Sequence, residues 1–116
     1  MIVDDSVDNQ ELLTTLFESM NYKVDHVSNG AEALTLLLSC SVLPDLILLD
    51  YQMPVMNGFQ FRKLQLENKL IQNIPLIVMT GDVNNDLVVQ MSHPFRIIIK
   101  PLQIQNLIET VFQAVH

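Results

Sequence analysis

Cysteine, glycine and basic residues are all scarce in this chain of 116 residues. A single cysteine, Cys40, excludes an internal disulfide and suits a reducing compartment, so the expected location is the cytoplasm. Only three glycines against 49% apolar residues exclude a disordered chain and point to a compact globule. The apolar stretch from Ala33 to Leu43 is interrupted by Thr35, Ser39 and Cys40 and is too short to span a bilayer, so no membrane insertion is expected. No basic segment precedes an apolar one at the N-terminus, which argues against a secretion signal. Six Lys and Arg against thirteen Asp and Glu give a net charge of −7, a poor match to a phosphate backbone; direct nucleic-acid binding is not expected. No Gly/Ser/Pro-rich linker or repeat divides the chain, so residues 1–116 form one domain. Only three residues precede Asp4, which reads as a clipped first strand in a chain excised from a longer protein.

The charge is unevenly placed. Residues 1–50 hold nine acids and a single base, Lys23, whereas residues 51–116 hold four acids and five bases. Hydrophobic patterning gives five β/α units. Strands are predicted over Met1–Val3, Lys23–Val27, Asp45–Leu49, Leu76–Met79 and Arg96–Ile99. Helices are predicted over Val7–Met20 (with Leu13, Leu16, Phe17 and Met20 on one face), after Asn29, and over Phe59–Asn68. A weaker helix is predicted near Asn84–Met91, and a last one carries Ile104, Leu107, Ile108, Val111, Phe112 and Val115. Asn29 is placed to cap the second helix, with Glu32 at the reciprocal capping position and Ala33, Leu34, Leu37 and Leu38 inward. Right-handed crossovers between parallel strands leave a doubly wound three-layer sandwich.

Four polar signals follow the apolar runs in order: Asp4-Asp5 after Met1–Val3, Asp50 after Leu46–Leu49, Thr80 after Leu76–Met79, and Lys100-Pro101 after Ile97–Ile99. Taken singly, each has a bland explanation as a helix cap, a turn or a helix start. Together they occupy successive strand ends, which converge on one crevice at the carboxyl edge of an open α/β sheet. Three carboxylates, a hydroxyl and an ammonium sharing that crevice suit a divalent cation and a phosphoryl group.

The stretch Asp50-Tyr51-Gln52-Met53-Pro54-Val55-Met56-Asn57-Gly58 resembles the phosphoacceptor loop of response-regulator receiver domains. Asp4-Asp5, Thr80 and Lys100-Pro101 match that family's other signature positions, so the resemblance spans nearly the whole chain. Asn9 after Asp5 is similar to receivers attached to hybrid sensor kinases. The resemblance implies a flavodoxin-like five-stranded parallel sheet in the order 2-1-3-4-5 with helices on both faces. It implies Asp50 as phosphoacceptor, with Thr80 and Lys100 on the phosphoryl oxygens. Mg²⁺ would be held by Asp5, Asp50 and the Gln52 backbone carbonyl, with Asp4 acting through a water. The implied partner is a histidine kinase or histidine phosphotransfer domain, and a homodimer through the fourth helix, strand five and last helix is a further expectation.

Two departures from the family pattern bear on output. Ile97 stands three positions before Lys100, where receivers commonly carry an aromatic switch residue. Ser92-His93-Pro94-Phe95 stands where a turn of small residues is usual, and the Thr80–Lys100 segment is short. These features favour as an alternative a receiver-like interaction module that no longer turns over phosphate. Signalling would otherwise depend more on Gly81–Met91, whose weak helical pattern and Asn84-Asn85 suggest mobility. A remoter alternative, an aspartyl-phosphate phosphohydrolase of the haloacid-dehalogenase type, wants an acid two residues after the nucleophile, where this chain has Gln52, and the chain has no room for a cap domain. His26, His93 and His116 have no ligand or catalytic spacing and are expected at the surface. Cys40 reads as a small apolar residue at a helix end. Met53 and Met56 read as loop packing, and of Phe59 and Phe61 one is expected to face out.

Overall fold

The structure is a computed structural model that describes residues 1–53, 55–81 and 86–116, and all their side chains except those of Val88 and Val89. Ten elements alternate along the chain. They are β1 (Ile2–Val3), α1 (Val7–Glu18), β2 (His26–Val27), α2 (Gly30–Ser39), β3 (Ile47–Asp50), α3 (Gly58–Leu66), β4 (Leu76–Thr80), α4 (Leu87–Gln90), β5 (Arg96–Ile99) and α5 (Ile104–Val115). The strands form one parallel sheet in the order β2-β1-β3-β4-β5, as the resemblance implied.

The near-continuous apolar runs of β3 and β4 follow from burial on both faces. Alternate side chains point to opposite sides of the sheet. Val3, Ile47, Leu49, Leu76 and Val78 pack with Ala33, Leu37, Phe61, Leu87 and Met91 on the side of α2, α3 and α4. Ile2, Leu48, Ile77, Met79 and Ile98 pack with Leu13, Phe17, Leu107 and Val111 on the side of α1 and α5. Each fully buried aliphatic side chain contributes on the order of 1.5–3 kcal/mol, so these two layers supply most of the driving force. Among the described residues, no helix is long and apolar enough to cross a membrane.

Several boundaries differ from the sequence pattern. Helix α1 stops at Glu18, and Met20 is exposed rather than inward. Asn21 takes a left-handed φ of 68°, turning the chain so that Tyr22, not Met20, packs edge-on against Phe17 at 5.8 Å. The edge strand β2 pairs only through His26 and Val27, shorter than the Lys23–Val27 run of the pattern. Leu38 is exposed, since the buried residues of α2 are Gly30, Ala33 and Leu37. Phe61 is fully buried and Phe59 is out. Ile104 and Phe112 are also exposed, and Phe112 stacks on His116 at 4.2 Å. The predicted start of the fourth helix at Asn84 lies outside the described residues, as does Pro54.

Candidate phosphoacceptor site

Register alone brings the polar signals together. Val3 pairs with Leu49 and Asp50 with Met79, so Asp4 sits one step past β1 beside Asp50 at the end of β3. Thr80 pairs with Ile99, and the Lys100 N–H donates to the Thr80 carbonyl at 2.7 Å. The parallel register therefore leaves all four signals on one edge of the sheet.

One carboxylate oxygen from each of Asp4, Asp5 and Asp50 lies within 4.8 Å of the other two. The three differ in their attachments. Asp4 is fully buried: its Oδ1 accepts the Ser6 N–H at 2.9 Å and its Oδ2 accepts from Asn9 Nδ2 at 3.4 Å. Asp5 is exposed, and no protein donor among the described residues holds its carboxylate. Asp50 is buried; its Oδ1 accepts the Gln52 N–H at 3.4 Å and lies 3.3 Å from Lys100 Nζ. Burial first, and then the neighbouring charge of Asp4, raise the Asp50 carboxyl above its usual value, against the opposing pull of Lys100. Clustered acids that resist joint ionisation, one of them free of protein donors, are what a hard divalent cation binds. The residues present thus fit Mg²⁺.

The loop after β3 is closed by two backbone bonds: Tyr51 N–H to the Met79 carbonyl and Gly58 N–H to the Tyr51 carbonyl, both at 2.9 Å. A Cβ on Gly58 would lie 3.0 Å from Tyr51 Cα, so a side chain at this position cannot fit without moving the loop. Val55 adopts φ 68° at the exposed tip, an outlier conformation for a β-branched residue. Met53 is buried and Met56 half-buried, as loop packing requires. Asn57 and Gln60 form a full capping box at the start of α3, more than the generic turn read from Asn57-Gly58. At α2 the cap is partial: Asn29 Oδ1 accepts the Glu32 N–H, but the Glu32 carboxylate accepts from the Ser28 N–H rather than from Asn29. Ile97 is half-buried and packs toward the α2–α4 side.

Gln10, Arg62 and Gln65 are among the buried polar groups that escaped the sequence reading. Gln10 is buried on α1 and reaches the ends of β1 and β2. Arg62 is buried on α3 without a carboxylate partner among the described residues: its Nε donates to the Met91 carbonyl at 2.9 Å, Nη2 to the Ser92 carbonyl at 3.2 Å, and Nη1 to Gln65 Oε1 at 2.9 Å. Gln65 Nε2 in turn donates to the Ile71 and Ile74 carbonyls, each at 3.0 Å. Burial lowers the Arg62 pKa from its usual value. The available signal was positional: Gln10 shares the inward stripe of Leu13 and Phe17, and Gln65 lies one turn beyond Phe61.

The family model for the response regulator receiver domain matches residues 1–112. The polar-differentiation response regulator DivK of Brucella anthropi is 32% identical over 116 residues, covering 96% of this chain and 90% of that protein. The receiver domain of a signal transduction histidine kinase from Syntrophus aciditrophicus superposes with a TM-score of 0.86 at 30% identity, covering 98% of this chain and 86% of that one. The receiver domain of a Pseudomonas aeruginosa sensor histidine kinase, solved with magnesium in its active-site cleft, shares the fold at a TM-score of 0.85 and 21% identity, covering 98% of this chain and 93% of that one.

Proposed function

This chain belongs to the response-regulator receiver domains of two-component signalling, and from that premise we propose that it accepts a phosphoryl group on Asp50 from a phosphohistidine donor. The observation that carries the proposal is the acidic triad Asp4, Asp5 and Asp50 with Lys100 Nζ 3.3 Å from the Asp50 carboxylate. In the transfer, an Asp50 carboxylate oxygen forms a bond to phosphorus as the N–P bond of a donor ring protonated at its other nitrogen breaks; the electron pair stays on the departing nitrogen, leaving a neutral imidazole on the partner and an aspartyl phosphate here. Asp5 and Asp50, with the Gln52 carbonyl, would hold Mg²⁺, and Asp4, already engaged by Ser6 and Asn9, would act through a water. Bound Mg²⁺ supplies positive charge that offsets the carboxylates and the incoming phosphoryl oxygens. Lys100 neutralises a phosphoryl oxygen, and the Thr80 hydroxyl donates to another. Positioning and fixed charge are most of what phosphoryl transfer needs from a protein.

The donor is a histidine kinase or histidine phosphotransfer domain in the cytoplasm. Exposed Ile99 on β5, with Ile104 and Phe112 on α5, supports a second copy of this chain as a further partner through that face. Incubation with a small-molecule phosphodonor and Mg²⁺, followed by intact-mass measurement and peptide mapping, tests the assignment. One acid-labile phosphoryl group on Asp50 is expected, absent in Asp50→Asn and in Asp5→Ala and reduced less in Asp4→Ala. A phosphoryl group that persists at the same level in Asp50→Asn refutes it.

A further inference from the structure

The Asp4 carbonyl lies one step past the last rung between β1 and β2, whose final backbone bond runs from the Asp4 N–H to the Val27 carbonyl at 3.1 Å. No backbone N–H among the described residues reaches that carbonyl. The side-chain amide of Gln10 does: its Nε2 donates to the Asp4 carbonyl and lies 3.2 Å from both the Val27 carbonyl and Ser28 Oγ. Gln10 thus extends the sheet by one rung beyond its backbone end.

The Gln10 amide is itself held in place. Its Oε1 lies 3.1 Å from His26 Nδ1, and since an amide oxygen only accepts, His26 Nδ1 carries the proton. His26 is therefore more than the bare surface residue its spacing suggested: its ring orients a buried amide, although the residue is exposed. A peptide unit is planar, so fixing the Asp4 carbonyl fixes the plane that leads into Asp5. The Asp5 carboxylate has no protein donor of its own among the described residues, and its direction depends on that plane.

We infer that Gln10, held by His26, is a positioning residue that aims the Asp5 carboxylate at the cation shared with Asp50. Its role rests on the metal reading proposed above. Outer partners that orient metal ligands typically alter affinity by about 10–100-fold when removed. Gln10→Met keeps the length of the side chain and deletes both donors. His26→Phe keeps a ring and deletes the Nδ1–H.

The test is a Mg²⁺ titration followed by backbone amide shifts, paired with urea unfolding in EDTA. A control variant, Phe17→Leu at the far end of α1, loosens the helix without touching the Gln10 contacts. Gln10→Met is expected to weaken Mg²⁺ binding by about tenfold and His26→Phe by a smaller factor. Phe17→Leu is expected to lower stability and leave the affinity unchanged. Saturating Mg²⁺ should return the phosphorylation rate of Gln10→Met toward wild type, because the residue acts only through the geometry of Asp5. Wild-type affinity in a folded Gln10→Met overturns the inference, as does an equal loss in Phe17→Leu. Should Gln10→Met not fold, unchanged affinity in His26→Phe overturns it. A wild type that binds no Mg²⁺ refutes the metal reading itself, and the role of Gln10 with it.

Discussion

Replacing Asp50, the proposed phosphoacceptor, by its neutral isostere should stabilise the metal-free protein. Asp50 is buried beside two other acids, with an oxygen from each within 4.8 Å of the others. At an effective dielectric of about 20, two unit charges at that separation repel by roughly 3.5 kcal/mol, before the cost of burying the carboxylate. The attraction of Lys100 at 3.3 Å opposes this, but its side chain is 31% exposed and partly screened by solvent. The raised pKa of Asp50 shows that the unfavourable side prevails. Asp50→Asn is therefore expected to gain about 1–3 kcal/mol at pH 7 in EDTA, read from the urea midpoint at constant m. The sign with pH follows from linkage. Between the ordinary carboxylate value and the raised one, the folded state binds more protons than the unfolded state, so wild-type stability falls as pH rises through that window. The gap between wild type and Asp50→Asn should accordingly close below the ordinary value, near pH 3.8. Mg²⁺ should close or reverse the gap, since a cation at 100 times its dissociation constant stabilises the binding form by about 2.7 kcal/mol. An Asp50→Asn variant that is less stable than wild type in EDTA at pH 7 refutes this reasoning.

Arg62→Ala should cost about 2–4 kcal/mol, because it leaves the Met91 carbonyl and Gln65 without their donor and opens space between α3 and the end of α4. Hydrogen exchange should accelerate across Leu87–His93, and unchanged protection there would show that the guanidinium is not the clamp. Gly58→Ala forces a Cβ to 3.0 Å from Tyr51 Cα and should destabilise by roughly 1–3 kcal/mol, whereas Gly81→Ala, with nothing among the described residues within 4 Å of its Cβ, should not overpack. Equal melting shifts for the two would contradict that contrast. With Ile97 on β5 in place of a ring, a beryllofluoride phosphoryl mimic should shift β5 and α5 little, since a β-branched side chain has few rotamers and short reach. Large ordered amide shifts centred on Ile97–Val115 would refute this.

The order of polar signals after apolar runs was enough to predict an α/β sandwich and the residues at its edge. Strand residues alternate in direction, and strands buried on both sides must be apolar on both faces. Asp50, Thr80 and Lys100 were legible because they interrupt such runs, and Asn57-Gly58 because it is a common turn pair; that the backbone there approaches Tyr51 too closely for a Cβ emerged only in the fold. Helix ends were less legible. Whether Met20 or Tyr22 covers Phe17 depends on the left-handed turn at Asn21, which periodicity does not encode. The family resemblance already gave Asp4 and Asp5 different roles toward a metal, but not how each is held. Tertiary structure alone decided that: Ser6 and Asn9 tie down the buried Asp4, while Asp5 stays exposed. The same holds for Gln10 and Arg62, polar residues on inward-facing helix positions. Their partners are carbonyls from strand ends and loops distant in sequence, and a carbonyl has no signature in the amino-acid alphabet. Sequence fixes which side chains are available; only the folded backbone determines which main-chain oxygens they must satisfy.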